Sequence, residues 1–407
     1  LSLIREIPPT AGWPLTIKSL ATSLFKKYPP GLLEDDFRRY LNAPQAKLTY
    51  SGASAFYIIL ESIKKLSDKK TILIPAFICP LIPLAIKKAN LKIKVCDTNT
   101  HNFDFDKNKL EDIFASDNDI LAVLAVHLGG LTIDFSTLQT IAQKYNAFII
   151  EDCAQSLGSQ YYGKKTGTLG EFSFFSLSRG KGLTIYEGGI AITNLSQYAD
   201  LLNNTAKEIM HSNFLSESLK IVELFAYCLF YQPNLFWFAF RLPQIFWHLR
   251  NNPIRAMGEY FNPDLPVHKI SAFREYIGHI NFPYLEEKIT DQRRKVDIYL
   301  EGLKDIPGIR PLVELKQTRA SYPYLALIFD DSKKRDFALK LFKDSGLGVS
   351  QIYLHAITDY PYLKNLVPNT NCTAAQTLAN KTITLSTSIF LEEIDFIKII
   401  KILKENL

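Results

Sequence analysis

The chain has 407 residues and a formal net charge of +6, from 47 basic and 41 acidic side chains. So mild an excess suits acidic small molecules or an anionic membrane face and argues against a nucleic-acid binder. With 47% hydrophobic and 22% charged residues, the composition is that of a soluble globular enzyme, long enough for two domains. The five cysteines, Cys79, Cys96, Cys153, Cys228 and Cys372, are scattered and form no CxxC pair. That pattern reads as reduced thiols in a cytoplasmic protein, with neither a disulfide framework nor a zinc site. The first residues show no basic-then-apolar signal pattern, and Pro8, Pro9 and Pro14 argue against a helical one.

Residues 1–45 read as an N-terminal arm with short helices, punctuated by Pro29-Pro30-Gly31. Helix and strand then alternate through a large domain expected over 46–265. Ala53 to Leu66 reads as a helix, Thr71 to Ile74 as a strand, Pro80 to Ala89 as a helix and Leu91 to Cys96 as a strand. Ile120 to Val126 is a strong buried strand, Phe135 to Tyr145 a helix and Ala147 to Ile150 a strand, with two more at Phe172 to Ser176 and Gly189 to Thr193. Such near-continuous apolar strands in β-α-β order predict a mostly parallel sheet covered by helices on both faces. An aromatic-rich insertion interrupts the rhythm at about 205–265. A smaller C-terminal α/β domain is expected over 266–407. It opens on a helix from Phe282 to Leu303 and holds strands at Tyr322 to Phe329 and Thr382 to Ser386. Helices there are expected from Lys333 to Asp344 and Leu391 to Leu403, with a turn at Gly346-Leu347-Gly348.

The chemistry concentrates around Lys181, in Ser176-Leu177-Ser178-Arg179-Gly180-Lys181-Gly182. Upstream, Ile149-Ile150-Glu151-Asp152-Cys153-Ala154-Gln155 is an apolar run ending in carboxylates. A strand-end carboxylate, a hydroxyl and a lysine in a glycine-rich loop are what pyridoxal phosphate chemistry requires. The lysine would form the Schiff base, and Asp152 would keep the pyridinium nitrogen protonated. Asp152 sits where ligands bind in open α/β sheets, although a carboxylate there also caps turns. Gln155 could reach the ring oxygen or face solvent. Ser176 could donate to the phosphate, and Gly180 and Gly182 let the backbone turn tightly. Arg179 adds positive charge, expected to favour phosphate and depress the pKa of Lys181. Ser51-Gly52-Ala53-Ser54 opens a helix, so Gly52 and Ala53 could cradle an anion, or the segment could be an ordinary N-cap. His127, ending the strand before Leu128-Gly129-Gly130, is either near the pocket or structural.

These motifs, in order, resemble the pyridoxal phosphate-dependent nucleotide-sugar aminotransferases of the DegT/StrS kind. The resemblance rests on SGASA at 51–55, IPAF at 74–77, VHLGG at 126–130, IEDCAQSLG at 150–158, FSLSRGKGL at 175–183, EGGIAIT at 187–193 and GLGVSQIY at 346–353. It implies a fold-type-I transferase acting as a homodimer, with glutamate as donor and a nucleotide-linked keto-sugar as acceptor. It assigns Lys181 as the Schiff-base lysine, Asp152 as the pyridinium partner and Gln155 as the ring-oxygen contact. Ser176 with the Gly52 and Ala53 backbone would hold the phosphate. His127, Arg179, Lys269 and Tyr353 are further candidates at or near the substrate. No metal is expected.

The chain departs from the family pattern at three places. Cys79 stands where an aromatic usually stacks on the cofactor ring. Leu157 replaces a usual His. Val267, His268 and Lys269 lie opposite a stretch whose asparagine crosses the dimer to the phosphate. Other pyridoxal chemistry and a non-catalytic sugar-binding scaffold therefore stay open beside transamination. Leu219 to Leu249 is crowded with Phe, Tyr and Trp, but Lys220, Glu223, Pro233 and Arg241 interrupt it, so it does not read as a membrane span. It could cover its own fold or a dimer partner, line an enlarged acceptor pocket, or dip into the membrane's inner face as a peripheral contact.

Overall fold

The computed structural model describes residues 5–24, 26–304 and 306–406. Its strands are β1 (Gln45–Thr49), β2 (Thr71–Pro75), β3 (Lys92–Cys96), β4 (Ile120–Val126), β5 (Phe148–Asp152), β6 (Gln160–Tyr161), β7 (Lys164–Lys165), β8 (Phe172–Ser176) and β9 (Gly189–Thr193). They continue with β10 (Ile309–Pro311), β11 (Thr318–Arg319), β12 (Tyr324–Phe329) and β13 (Thr382–Ser386). The first helices are α1 (Ile17–Leu24), α2 (Leu32–Leu41), α3 (Gly52–Ile63), α4 (Leu81–Lys88), α5 (Lys107–Ser116), α6 (Phe135–Lys144) and α7 (Ala199–Ile209). The aromatic segment forms α8 (Phe214–Phe230), α9 (Pro233–Ala239), α10 (Arg241–Leu249) and α11 (Pro253–Ala256). Then come α12 (Ala272–Asn281), α13 (Leu285–Gly302), α14 (Ser332–Phe342), α15 (Thr373–Lys381) and α16 (Glu393–Asn406).

The principal sheet has seven strands in the order β1-β9-β8-β5-β4-β2-β3. From β3 through β8 every pairing is parallel, while β9 pairs antiparallel with both β8 and β1. This is the mostly parallel sheet the apolar runs predict. β4 is Ile-Leu-Ala-Val-Leu-Ala-Val with every side chain buried, because helices cover both faces. α3 lies against the sheet with ten of its twelve residues buried. β1 lies outside the expected elements: Gln45 and Lys47 alternate with Ala46 and Leu48, as suits an edge strand with one wet face. Lys47 there pairs with Glu34 of α2 at 3.2 Å.

Three features bear on the site. The carboxyl ends of β1, β2, β4, β5 and β8 all open on one edge of the sheet, where α/β folds bind ligands. A second sheet, β10-β12-β13, packs beside that edge, and Tyr324 of β12 reaches across to it. Finally, the expected arm is laid across its own chain. Ile7, Ala11, Trp13 and Leu15 are buried. The amides of Glu6, Ile7 and Ala11 donate to the carbonyls of Pro233, Gly346 and Pro323, each at 2.9 Å.

Candidate active site

Strand ends assemble one cavity of about 560 Å³. Ser51, Gly52 and Ala53 enter after β1, Cys79 after β2, and His127 after β4. Asp152 ends β5, with Gln155 in the turn beyond it, and Ser176 ends β8. Arg179 and Lys181 line it from the loop after β8, and Tyr353 closes it from the C-terminal part of the chain. Lys269 is not brought in: its side chain is exposed away from the lining, and its amide donates to the His211 carbonyl at 3.0 Å.

Each group is held in a way that leaves one chemical function free. Ser51 caps α3 by accepting from the Ser54 amide at 3.1 Å. The amides of Gly52 and Ala53, at the positive end of the helix dipole, then find no acceptor among the described residues. A methyl added at Gly52 would come within 3.0 Å of the Ser176 Cβ, so the close approach of hydroxyl and helix end requires glycine. The resulting concavity suits a phosphate.

Asp152 is 6% exposed. Its Oδ1 accepts from the Ala154 amide at 3.0 Å, and Oδ2 has no partner among the described residues. Burial pushes its carboxyl up to about 6, against smaller lowering contributions from the Ala154 amide, Lys181 and His127. Gln155 Oε1 accepts from the Gly129 amide at 2.9 Å and from the Tyr324 hydroxyl at 2.6 Å. With its oxygen so occupied, the side chain is left to present N–H groups.

Lys181 has no carboxylate within ion-pair distance among the described residues, and burial pulls its ammonium below the usual lysine range. Arg179 is not among the causes, which corrects the expectation that its charge would depress Lys181. The reason is position: Arg179 is exposed, and its Nη1 donates outward to the Tyr186 hydroxyl at 3.3 Å. The loop itself is pinned by the N-terminal arm, because the Thr10 hydroxyl donates to the Gly180 carbonyl at 2.7 Å. Gly180 has φ +77°, and a Cβ there would also meet Thr10 Oγ1 at 3.0 Å.

His127 is fully buried. Its Nε2 donates to Glu151 Oε2 at 3.1 Å, and Nδ1 accepts from the Ile133 amide at 3.5 Å. Glu151 also accepts from the amides of Gly167, Leu169 and Gly170 at 2.7, 2.7 and 2.8 Å. His127, Glu151 and Cys153 have potential ligand atoms within 4.8 Å of one another. That carboxylate is nonetheless spent on four donors, and burial holds the Cys153 thiol well above its usual range, so the cluster is a structural staple. The Cys79 thiol faces Lys181 and Asp152, and burial raises it to about 11. It is therefore a small neutral wall at this position.

Sequence reasoning missed several lining groups. Lys220 and Glu223 reach in from α8, with Lys220 Nζ 2.8 Å from Glu187 and 2.7 Å from Glu223. Glu259 accepts from the Tyr360 hydroxyl at 2.7 Å, and burial raises its carboxyl to about 7. Lys220 and Glu223 form an i,i+3 pair that by itself reads as an ordinary helix-surface pair, and no local pattern marks Glu259, which meets Tyr360 across 101 positions of sequence.

The profile of the DegT/DnrJ/EryC1/StrS aminotransferase family matches residues 29–224 and 267–404. The chain belongs to this family. Among curated relatives of the aminotransferase family, GDP-perosamine synthase of Escherichia coli O157:H7 is 29% identical over 161 residues, which is 40% of this chain and 43% of that protein. The dTDP-3-amino-3,6-dideoxy-alpha-D-galactopyranose transaminase of Aneurinibacillus thermoaerophilus is 33% identical over 175 residues, 42% of this chain and 47% of that one. The matched stretch thus spans less than half the length of these relatives. A putative sugar aminotransferase from Streptococcus pneumoniae in its PMP form shares the fold, with a TM-score of 0.76 at 17% identity, covering 97% of this chain and 98% of that one.

Proposed function

We propose that this chain is a pyridoxal phosphate-dependent aminotransferase that moves an amino group from glutamate to a keto-sugar carried on a nucleotide. The observation that carries the reading is one cavity holding a partly buried lysine and a buried carboxylate, its amine and one carboxylate oxygen without partners among the described residues, and an open helix N-terminus. These three features fit the aldehyde, ring nitrogen and phosphate of a single cofactor. The aminotransferase family supports the reaction class. The nucleotide-sugar enzymes among its relatives support the substrate class.

Gly52, Ala53 and Ser176 would hold the phosphate. Gln155 would donate to the ring oxygen, and Asp152 would keep a proton on the ring nitrogen. Bound pyridoxal phosphate supplies a reactive carbonyl carbon and a ring that takes up the electron pair left when the donor's α-proton departs. Lys181 Nζ takes that proton and returns it, and a lysine lowered by burial carries the free amine that this needs. Titrating the purified protein, loaded with pyridoxal phosphate, with glutamate is expected to bleach its visible band. A band that no amino acid donor alters would overturn the reading.

We further propose a homodimer with a peripheral membrane contact. Two exposed apolar faces support this: Phe214, Leu215, Leu219 and Val222 on α8, and Leu242, Ile245, Phe246 and Leu249 on α10. Arg250 packs over the Phe246 ring at 4.3 Å, placing a cation beside the second face. Among the described residues no helix is long and apolar enough to cross a membrane. Light scattering is expected to give the mass of two chains, and flotation with anionic liposomes to carry the protein upward. A monomer that stays at the bottom removes both proposals.

A further inference from the structure

A second cavity, of about 630 Å³, opens beside the first. Arg179, Tyr186, Glu223, Met257 and Gly258 line both, so the two spaces adjoin along one seam. The outer wall is aromatic: Tyr227 and Phe230 from α8, Tyr231, Phe236, Phe240, and Trp247 from α10. Residues 225–266, which contribute all of these but none of the assigned cofactor contacts, lie between the two stretches that match the family. The wall therefore lies outside the two stretches that match the family's profile.

Two cations flank the wall, and neither has a carboxylate partner among the described residues. Arg179 sits on the seam, donates to the Tyr186 hydroxyl at 3.3 Å and lies over the Tyr186 ring at 5.9 Å. Arg255 lies over Trp247 at 4.8 Å and over Tyr260 at 4.3 Å. A guanidinium stacked by its face keeps its N–H edge free for phosphate oxygens. An aromatic wall next to such edges suits a molecule with an anionic neck and a flat or apolar body, and the volume is that of a small-molecule site.

We propose that this cavity holds the carrier half of the acceptor: a diphosphate ester whose non-sugar substituent is either a nucleobase or an apolar chain. The proposal rests on the transaminase reading, which puts the keto-sugar over Lys181. From there the diphosphate crosses the seam at Arg179 toward Arg255, and the substituent packs on Tyr231, Phe236 and Trp247. Selection of the carrier then lies with the 225–266 segment.

The test uses the full chain loaded with pyridoxal phosphate, with calorimetric titration of three probes: uridine diphosphate, farnesyl diphosphate and inorganic diphosphate. One organic probe is expected to bind at least about tenfold more tightly than inorganic diphosphate, and Arg255→Gln to weaken it by about tenfold or more. Arg255 is exposed, so this variant leaves the core intact. Trp247→Leu, which keeps the charge, is expected to weaken the same probe and leave inorganic diphosphate unchanged. Preference for the uridine probe identifies a nucleotide carrier, and preference for the farnesyl probe a lipid one. Equal binding of all three probes overturns the proposal, as does binding that neither substitution alters. The wild-type response to glutamate is read separately, so failure of the transaminase reading is distinguishable from failure of this one.

Discussion

Lys181→Ala is expected to lower turnover by about 10⁴-fold or more, since it removes both a covalent anchor and a proton carrier. The cavity holds a second amine, Lys220, so the assignment has to exclude it. Lys220 Nζ lies 2.8 Å from Glu187 and 2.7 Å from Glu223. Those two carboxylates outweigh its burial and push its pKa above the ordinary lysine range, so it stays protonated and cannot act as a base near neutrality. Lys181 has no such partner, and burial lowers it. The variant is expected to retain the cofactor through Ser176, Gly52, Ala53 and Asp152 while losing the visible band of the lysine-bound form. Equilibrium dialysis measures the first and absorbance the second. Residual turnover within tenfold of wild type would mean that another group carries the proton.

Uniform runs made much of the fold readable. Ile120–Val126, Phe172–Ser176, Gly189–Thr193 and Thr382–Ser386 are strands at the bounds their apolar character predicts. β1 escaped because an edge strand with one wet face alternates like an amphipathic loop. α7, α12 and α15 escaped because their burial is set by distant partners. In α12, for example, the fully buried Arg274 pairs with Glu217 of α8 at 2.6 Å and donates to the Ile185 and Glu187 carbonyls. The site divides in the same way. Gly52, Asp152, Gln155, Ser176 and Lys181 stand in short local motifs at strand ends, where backbone geometry alone brings them together. Glu259 and Tyr324 act through contacts that no window of sequence contains, and Lys220, though it pairs with Glu223 in its own helix, meets Glu187 in the same way. Tyr324 fixes the orientation of Gln155 from 169 positions away.

Asp152→Asn is expected to produce two effects of opposite sign, which together separate a cofactor-directed carboxylate from a structural one. In the folded chain without cofactor, burial raises this carboxyl from 3.8 to about 6. The folded state therefore keeps a proton that the unfolded chain releases as pH climbs through that window. Stability falls over the same interval, and the cost persists above it. An uncharged amide removes this cost, so the cofactor-free variant is expected to be more stable than wild type at pH 8 by about 1–3 kcal/mol, and close to equal at pH 4. Catalysis should move the other way. With the cationic ring nitrogen unpaired, the electron sink weakens, and loss of a buried charge-assisted bond of ~3–5 kcal/mol predicts a drop in turnover of about 10²- to 10⁴-fold. A structural carboxylate capping the turn at Ala154 would behave differently: Asn caps nearly as well, so activity would hold. Thermal melts of the cofactor-free protein at the two pH values, set beside turnover at pH 8, decide between these roles. A variant that is both less stable at pH 8 and fully active would return Asp152 to the turn it also caps.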